Sequence, residues 1–93
     1  MNNNLKMFQN ELNISFMQFE VNIAKLVKLN KEYQEMNVPD KIQVLLEYLY
    51  EYLSSVKGIC KEYNQEKYDS TWPYTKAKNL ILSHVQGLIY DEA

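Results

Sequence analysis

The sequence predicts an all-α protein: a long antiparallel helical hairpin with a shorter third helix beside it, a three-helix bundle for which dimerisation is one route to a complete core. Apolar residues recur at steps of three and four along most of the 93 residues, the period of one helix face. Only two prolines and two glycines occur, and both prolines stand where that period breaks, near residues 37–39 and 69–73. A chain of 93 residues with 46% apolar content supports one hydrophobic core, hence a single helical domain over residues 1–93.

In the first segment Leu5, Phe8, Leu12, Phe16, Phe19, Ile23, Leu26, Val27 and Tyr33 mark one stripe, and no proline or glycine interrupts residues 3–36. A continuous helix there would be about 50 Å long at 1.5 Å per residue. The alternative is a break near Asn30 that folds the segment back into a four-helix bundle. The second helix opens at Asn37-Val38-Pro39-Asp40, where asparagine caps, proline fits the first turn and aspartate faces the positive end of the helix dipole. From there Ile42, Leu45, Leu49, Tyr52, Val56, Ile59 and Tyr63 alternate steps of three and four, an unbroken heptad seam. Leu46, Leu53 and Cys60 widen the seam, while Gln43, Glu47, Ser54, Lys57 and Lys61 form the wet side. Gly58 costs about 1 kcal/mol relative to alanine within a helix, which suggests a close helix approach there. Residues 45–53, LLEYLYEYL, also alternate with period two, but no turn residues flank them and the heptad runs through them, so a strand is rejected. The third helix is expected from about Pro73 to Tyr90, with Ala77, Leu80, Ile81, His84, Val85, Leu88 and Ile89 on its apolar face. Trp72 precedes proline, is biased away from the helical region, and is assigned to the corner at 69–72.

A third helix of about 18 residues covers roughly 27 Å of a hairpin about 45 Å long, and chain direction places that cover on the end remote from the 37–38 turn. The hairpin tip is then uncovered, and an uncovered apolar patch marks an interface. This reasoning selects Tyr33, Met36, Val38, Ile42 and Leu46, in a patch that also takes in Val27, Leu29 and Leu45, with self-association as its first use. Tyr48, Tyr50 and Tyr52 form a second candidate surface. Positions 48 and 52 share a face and Tyr50 lies nearly opposite, so the three cannot all be core, and tyrosine suits interface hot spots.

Charge and chemistry narrow the function. Ten basic residues against twelve acidic ones give a formal charge of -2, and every basic residue is lysine. Without arginine the chain lacks the bidentate fork used on phosphates and guanine edges, which disfavours direct nucleic-acid binding. Ten asparagines and eight tyrosines alongside that arginine gap are what an A+T-rich genome encodes. No apolar run approaches the 18 to 20 residues of a membrane span. The single cysteine and the lack of a secretory-signal pattern in MNNNLKMFQNEL point to the cytoplasm. His84 and Cys60 have no spacing that implies contact, the glycines at 58 and 87 are isolated, and no metal-ligand set exists, so no catalytic constellation or cofactor is expected. The carboxylates fall mainly on wet faces, where they solvate.

The expectation is therefore a non-enzymatic helical protein that occupies a surface of another protein or of itself, as an inhibitor or regulator encoded by a phage or mobile element, for example one directed at a defence-system component. A bacteriocin-immunity-type protein is the first alternative, although no residue motif carries it. A DNA-binding regulator is the second, with Lys76 and Lys78 as its phosphate contacts.

Overall fold

The computed structural model describes residues 3–68 and 71–92, the final two by backbone alone. It comprises α1 (Asn3–Leu29), α2 (Lys31–Glu35), α3 (Val38–Glu62) and α4 (Thr71–Glu92), with no strand among the described residues. The expected all-α, three-helix architecture is the observed one, with α1, α3 and α4 as its long members.

Helix α1 buries Phe8, Leu12, Phe16, Phe19, Ile23 and Leu26, one side chain every three or four residues, and so presents a single apolar face to the bundle. Helix α3 answers with Leu45, Leu49, Tyr52, Val56 and Cys60. The two run antiparallel in a register that ring contacts define from end to end. Phe8 lies 5.9 Å from Tyr63, and Phe19 stacks on Tyr52 at 4.8 Å. Between these levels the hydroxyls of Ser15 and Ser55 stand 3.4 Å apart. Complete burial of Phe8, Ile23, Leu45 and Val56 contributes about 1.5 to 3 kcal/mol each relative to exposure, which makes this seam the main source of stability.

The ends of α3 follow from local chemistry. Asn37 Oδ1 accepts from the Asp40 amide at 3.0 Å, and Pro39 sits in the first turn, where its missing N–H has no intrahelical partner to lose. At the other end Asn64 takes φ 56°, the Asn64 amide donates to Lys61 O at 3.2 Å, and the Gln65 amide donates to Cys60 O at 2.7 Å. These two bonds form a Schellman motif with asparagine in the left-handed position. The chain then turns so that Tyr68 meets the edge of Phe8 at 5.0 Å and closes that end of the core. Helix α4 packs mainly on α3 and adds Pro73, Ala77 and Ile81 to the buried set.

Four expectations are corrected. The first segment is not one helix: it breaks at Asn30, whose side chain accepts from the Tyr33 amide at 2.9 Å and caps α2. An asparagine that competes as a cap supplies the local reason for the break. At five residues α2 is too short to be a fourth bundle member. Gly58 marks no close helix approach, because a Cβ there would meet nothing within 4 Å. Trp72 is helical: α4 begins at Thr71, and Pro73 falls in the first turn, where no hydrogen bond to an earlier helical carbonyl is required. Of the expected corner, residues 69 and 70 lie outside the described residues.

The fourth correction concerns the tip. Helix α4 spans 22 residues, about 33 Å, and its second half reaches the level of the turn. Ser83, His84, Gly87 and Leu88 line one groove together with Val27, Tyr33, Gln34 and Lys41. The tip is flanked rather than bare, because the bend at Asn30 shortens the hairpin and α4 runs nearly the whole length of α3.

Candidate interaction surfaces

The eight positions selected from the sequence separate into core and surface. Tyr33 is 3% exposed and Tyr52 4% exposed, so both belong to the interior of the folded chain and are withdrawn as docking positions. The α2 turn folds Tyr33 inward beneath Lys41, whose Nζ stands 5.6 Å from the ring centroid, and Gln34 Nε2 donates to Lys28 O at 2.8 Å, tying α2 onto the end of α1. Burial raises the Tyr33 pKa above its ordinary value. Tyr52 sits on the seam, stacked on Phe19, with its hydroxyl buried and without a hydrogen-bond partner. Desolvation, reinforced by Tyr68, pushes the Tyr52 pKa up to about 12.

Met36, Val38, Ile42, Leu46 and Tyr48 are half-buried, and Tyr50 is 62% exposed. The structure does not gather them into one patch. Tyr48 faces α1 and lines a groove with Asn22, Lys25, Leu26, Asn30 and Glu51. Tyr50 faces the other way and lines the α3/α4 groove with Leu53, Lys57 and Tyr74. The divergence of neighbouring tyrosines follows from the helical turn of 100° per residue.

The strongest surface lies along that α3/α4 groove. Ile42, Leu46 and Tyr50 form one i, i+4 row on α3, and Tyr74, Lys78 and Leu82 form a second on α4. Tyr74 is 42% exposed and Leu82 43%, and Lys78 Nζ stands 5.9 Å from the Tyr74 ring. Two aromatic anchors, Tyr50 and Tyr74, thus flank one concave line with a cation at its edge, a composition suited to a protein partner. Sequence reasoning found Tyr50 and missed Tyr74 and Leu82, because α4 carries apolar residues on several sides and its docking side cannot be separated from its core side by period alone.

A second feature escaped the sequence reading altogether. On the face of α1 opposite its core, Ile14 is 63% exposed, Met17 62%, Met7 51% and Val21 45%. Their spacing of three, four and seven was visible, but it was masked by the stronger aromatic stripe on the same helix.

The single cysteine and the single histidine lie apart. Cys60 lies near the base of α3, and its thiol is buried, with desolvation raising its pKa against a lowering by its own backbone. His84 shares a groove with Lys41, and Lys41 precedes Cys60 by 19 residues of α3, so Cys60 and His84 lie about 28 Å apart along the bundle at 1.5 Å per residue. Tyr63 Oη donates to Glu11 Oε1 at 3.0 Å, and the tyrosine pKa is raised by desolvation first, then by that bond and by the charges of Glu11 and Glu62. Lys76 Nζ lies 4.6 Å from the Phe16 ring and 4.7 Å from Trp72, held over two aromatic faces. Among the described residues no group of three or more His, Cys, Asp or Glu is placed to hold a metal ion, and no helix is long and apolar enough to cross a membrane.

Comparison with family models, curated proteins and solved structures finds no match for this chain.

Proposed function

We propose that this chain is a non-enzymatic binding protein that docks on another protein through the α3/α4 groove, with Tyr50 and Tyr74 as anchors and Leu46, Leu53 and Leu82 as the apolar floor and rim. The observation that carries the reading is the outward placement of Tyr50, 62% exposed on a helix whose other tyrosines, at 48 and 52, are half or fully buried. A large exposed aromatic beside a second one supplies contact area at low entropic cost and is the residue type that dominates interface energetics.

The lysine-only basic set and the asparagine and tyrosine content support a source in a low-GC bacterium or one of its phages or plasmids. In that setting a small binder without a reaction centre acts as an inhibitor or regulator, by covering a surface its target uses. Its address is the cytoplasm, in keeping with a lone, buried thiol.

The test is affinity capture from lysates of low-GC bacteria, with and without phage infection, using tagged wild type beside Tyr50→Asp and Tyr74→Asp. One protein retained by the wild type and lost by both variants, with helicity unchanged by circular dichroism, is the expected result. Retention by both folded variants refutes the groove as the docking site.

A further inference from the structure

The outer face of α1 carries a second seam. Met7, Asn10, Ile14, Met17, Val21 and Ala24 repeat at alternating steps of three and four, the spacing of the a and d positions of a heptad, and all six are exposed. This stripe lies on the side of the helix opposite Phe8, Leu12, Phe16, Phe19, Ile23 and Leu26, which face the bundle. A solvent-facing helix side has no need of apolar residues, and still less of apolar residues in heptad register, a period that fits another helix rather than a flat surface.

We propose that this face is the interface of a parallel homodimer, in which α1 pairs with α1 of a second copy as a two-stranded coiled coil about 33 Å long over residues 7–28. Charge selects both the occupant and the direction. With Met7, Ile14 and Val21 at a, the g positions are Lys6, Asn13 and Glu20 and the e positions are Glu11, Gln18 and Lys25. In a parallel pair each g residue meets the e residue five places on in the partner. Lys6 then faces Glu11, Asn13 faces Gln18 and Glu20 faces Lys25. Two ion pairs of opposite polarity and one amide pair arise from a single register, and symmetry doubles them. An antiparallel pair sets e against e and g against g, which keeps Glu11 with Lys25 but places Lys6 beside Val27 and Asn13 beside Glu20. The β-branched Ile14 and Val21 at a suit a parallel pair of strands.

The free chain has surface to spare for such a contact. Its accessible area is 6871 Å², against about 5,650 Å² for a compact monomer of 11.1 kDa. An excess of about 1,200 Å² per chain exceeds the roughly 800 Å² that each partner of a standard interface buries. Because packing on α3 already holds α1 helical, pairing does not have to order it. The seam lies away from the α3/α4 groove, so the dimer and the protein-docking reading stand or fall separately.

Analytical ultracentrifugation of the full chain from about 1 to 500 µM, a span covering weak to moderate association, is the test. The expected result is a species of twice 11.1 kDa at the upper end of that range. Ile14→Glu and Met17→Glu, at positions 63% and 62% exposed, leave helicity unchanged, leave the melting temperature unchanged at concentrations where the wild type is monomeric, and raise the dimer dissociation constant by more than about a hundredfold. The double change Lys6→Glu with Glu20→Lys turns both ion pairs repulsive and weakens the dimer by about tenfold or more, and adding Glu11→Lys with Lys25→Glu restores it. A monomer across the whole range overturns the proposal. So does a dimer indifferent to Ile14→Glu, which would place the contact on another face, or one indifferent to the charge reversal, which would exclude the parallel register.

Discussion

Tyr52 shows how tightly one side chain can couple packing to pH. Its hydroxyl is buried without a partner, and its pKa is pushed up to about 12 because ionisation would place a charge in the core. A folded-state pKa above the ordinary value of 10.0 means that the stability Tyr52 contributes is fully present below pH 10 and is lost as pH rises toward 12. Replacing it with phenylalanine removes the orphaned oxygen and keeps the ring on Phe19. Tyr52→Phe is expected to stabilise the fold by about 1 kcal/mol at neutral pH, and to unfold at higher pH than the wild type in alkaline titrations followed by circular dichroism. The two glycines make a simpler case. A Cβ at Gly58 meets nothing within 4 Å, nor does one at Gly87, and neither has positive φ. Gly58→Ala should therefore raise stability by about 1 kcal/mol through helix propensity alone, measured by urea denaturation. Asn64 is the contrasting position. Its φ of 56° caps α3, so Asn64→Ala should cost about 1 kcal/mol, read from the same denaturation curves.

At the scale of the element, α1 and α3 hold most of the core, whereas α4, among the described residues, contributes only Pro73, Ala77 and Ile81 as buried residues and leaves Leu82, Ile89 and Tyr90 exposed. An element with few buried side chains opens at low free energy. Hydrogen exchange should find α4 amides exchanging faster than those at the centres of α1 and α3; equal protection across the three helices would contradict this ranking of their anchorage. The same inequality explains what the sequence disclosed. The stripes of α1 and α3 repeat without interruption, so the aromatic and leucine positions that meet across the seam could be read directly. The break at Asn30 could be named only as an alternative, because an asparagine in a polar run can cap a new turn or sit passively on a wet face. The position of α4 depended on that bend. With α1 taken as continuous the hairpin seemed too long for its cover, and Tyr33 was placed at an open tip instead of under Lys41. Among the tyrosines, period alone could set Tyr50 apart from Tyr48 and Tyr52, but which side faced α4 required the third helix in place.

The whole molecule is a rod of 53 × 22 × 15 Å with a radius of gyration of 15.3 Å, where a compact chain of this length has about 12 Å. A rod one helix pair thick has too little interior for all its apolar residues, and much of the remainder lies on the outer seam of α1 and along the groove between α3 and α4, with Leu29, Trp72, Ile89 and Tyr90 exposed elsewhere. These two surfaces are the proposed contact sites of the fold. The proposed function rests on a division of labour between neighbouring tyrosines of α3, with Tyr52 in the core and Tyr50 exposed as the proposed contact. The most direct measurement is a paired comparison of Tyr50→Asp and Tyr52→Asp for melting temperature and for capture of the wild type's protein partner. The account predicts that Tyr52→Asp destabilises severely, as a charge forced into the core does, while Tyr50→Asp melts with the wild type and captures no partner. Melting of Tyr50→Asp alongside Tyr52→Asp, or undiminished capture by a folded Tyr50→Asp, would contradict it.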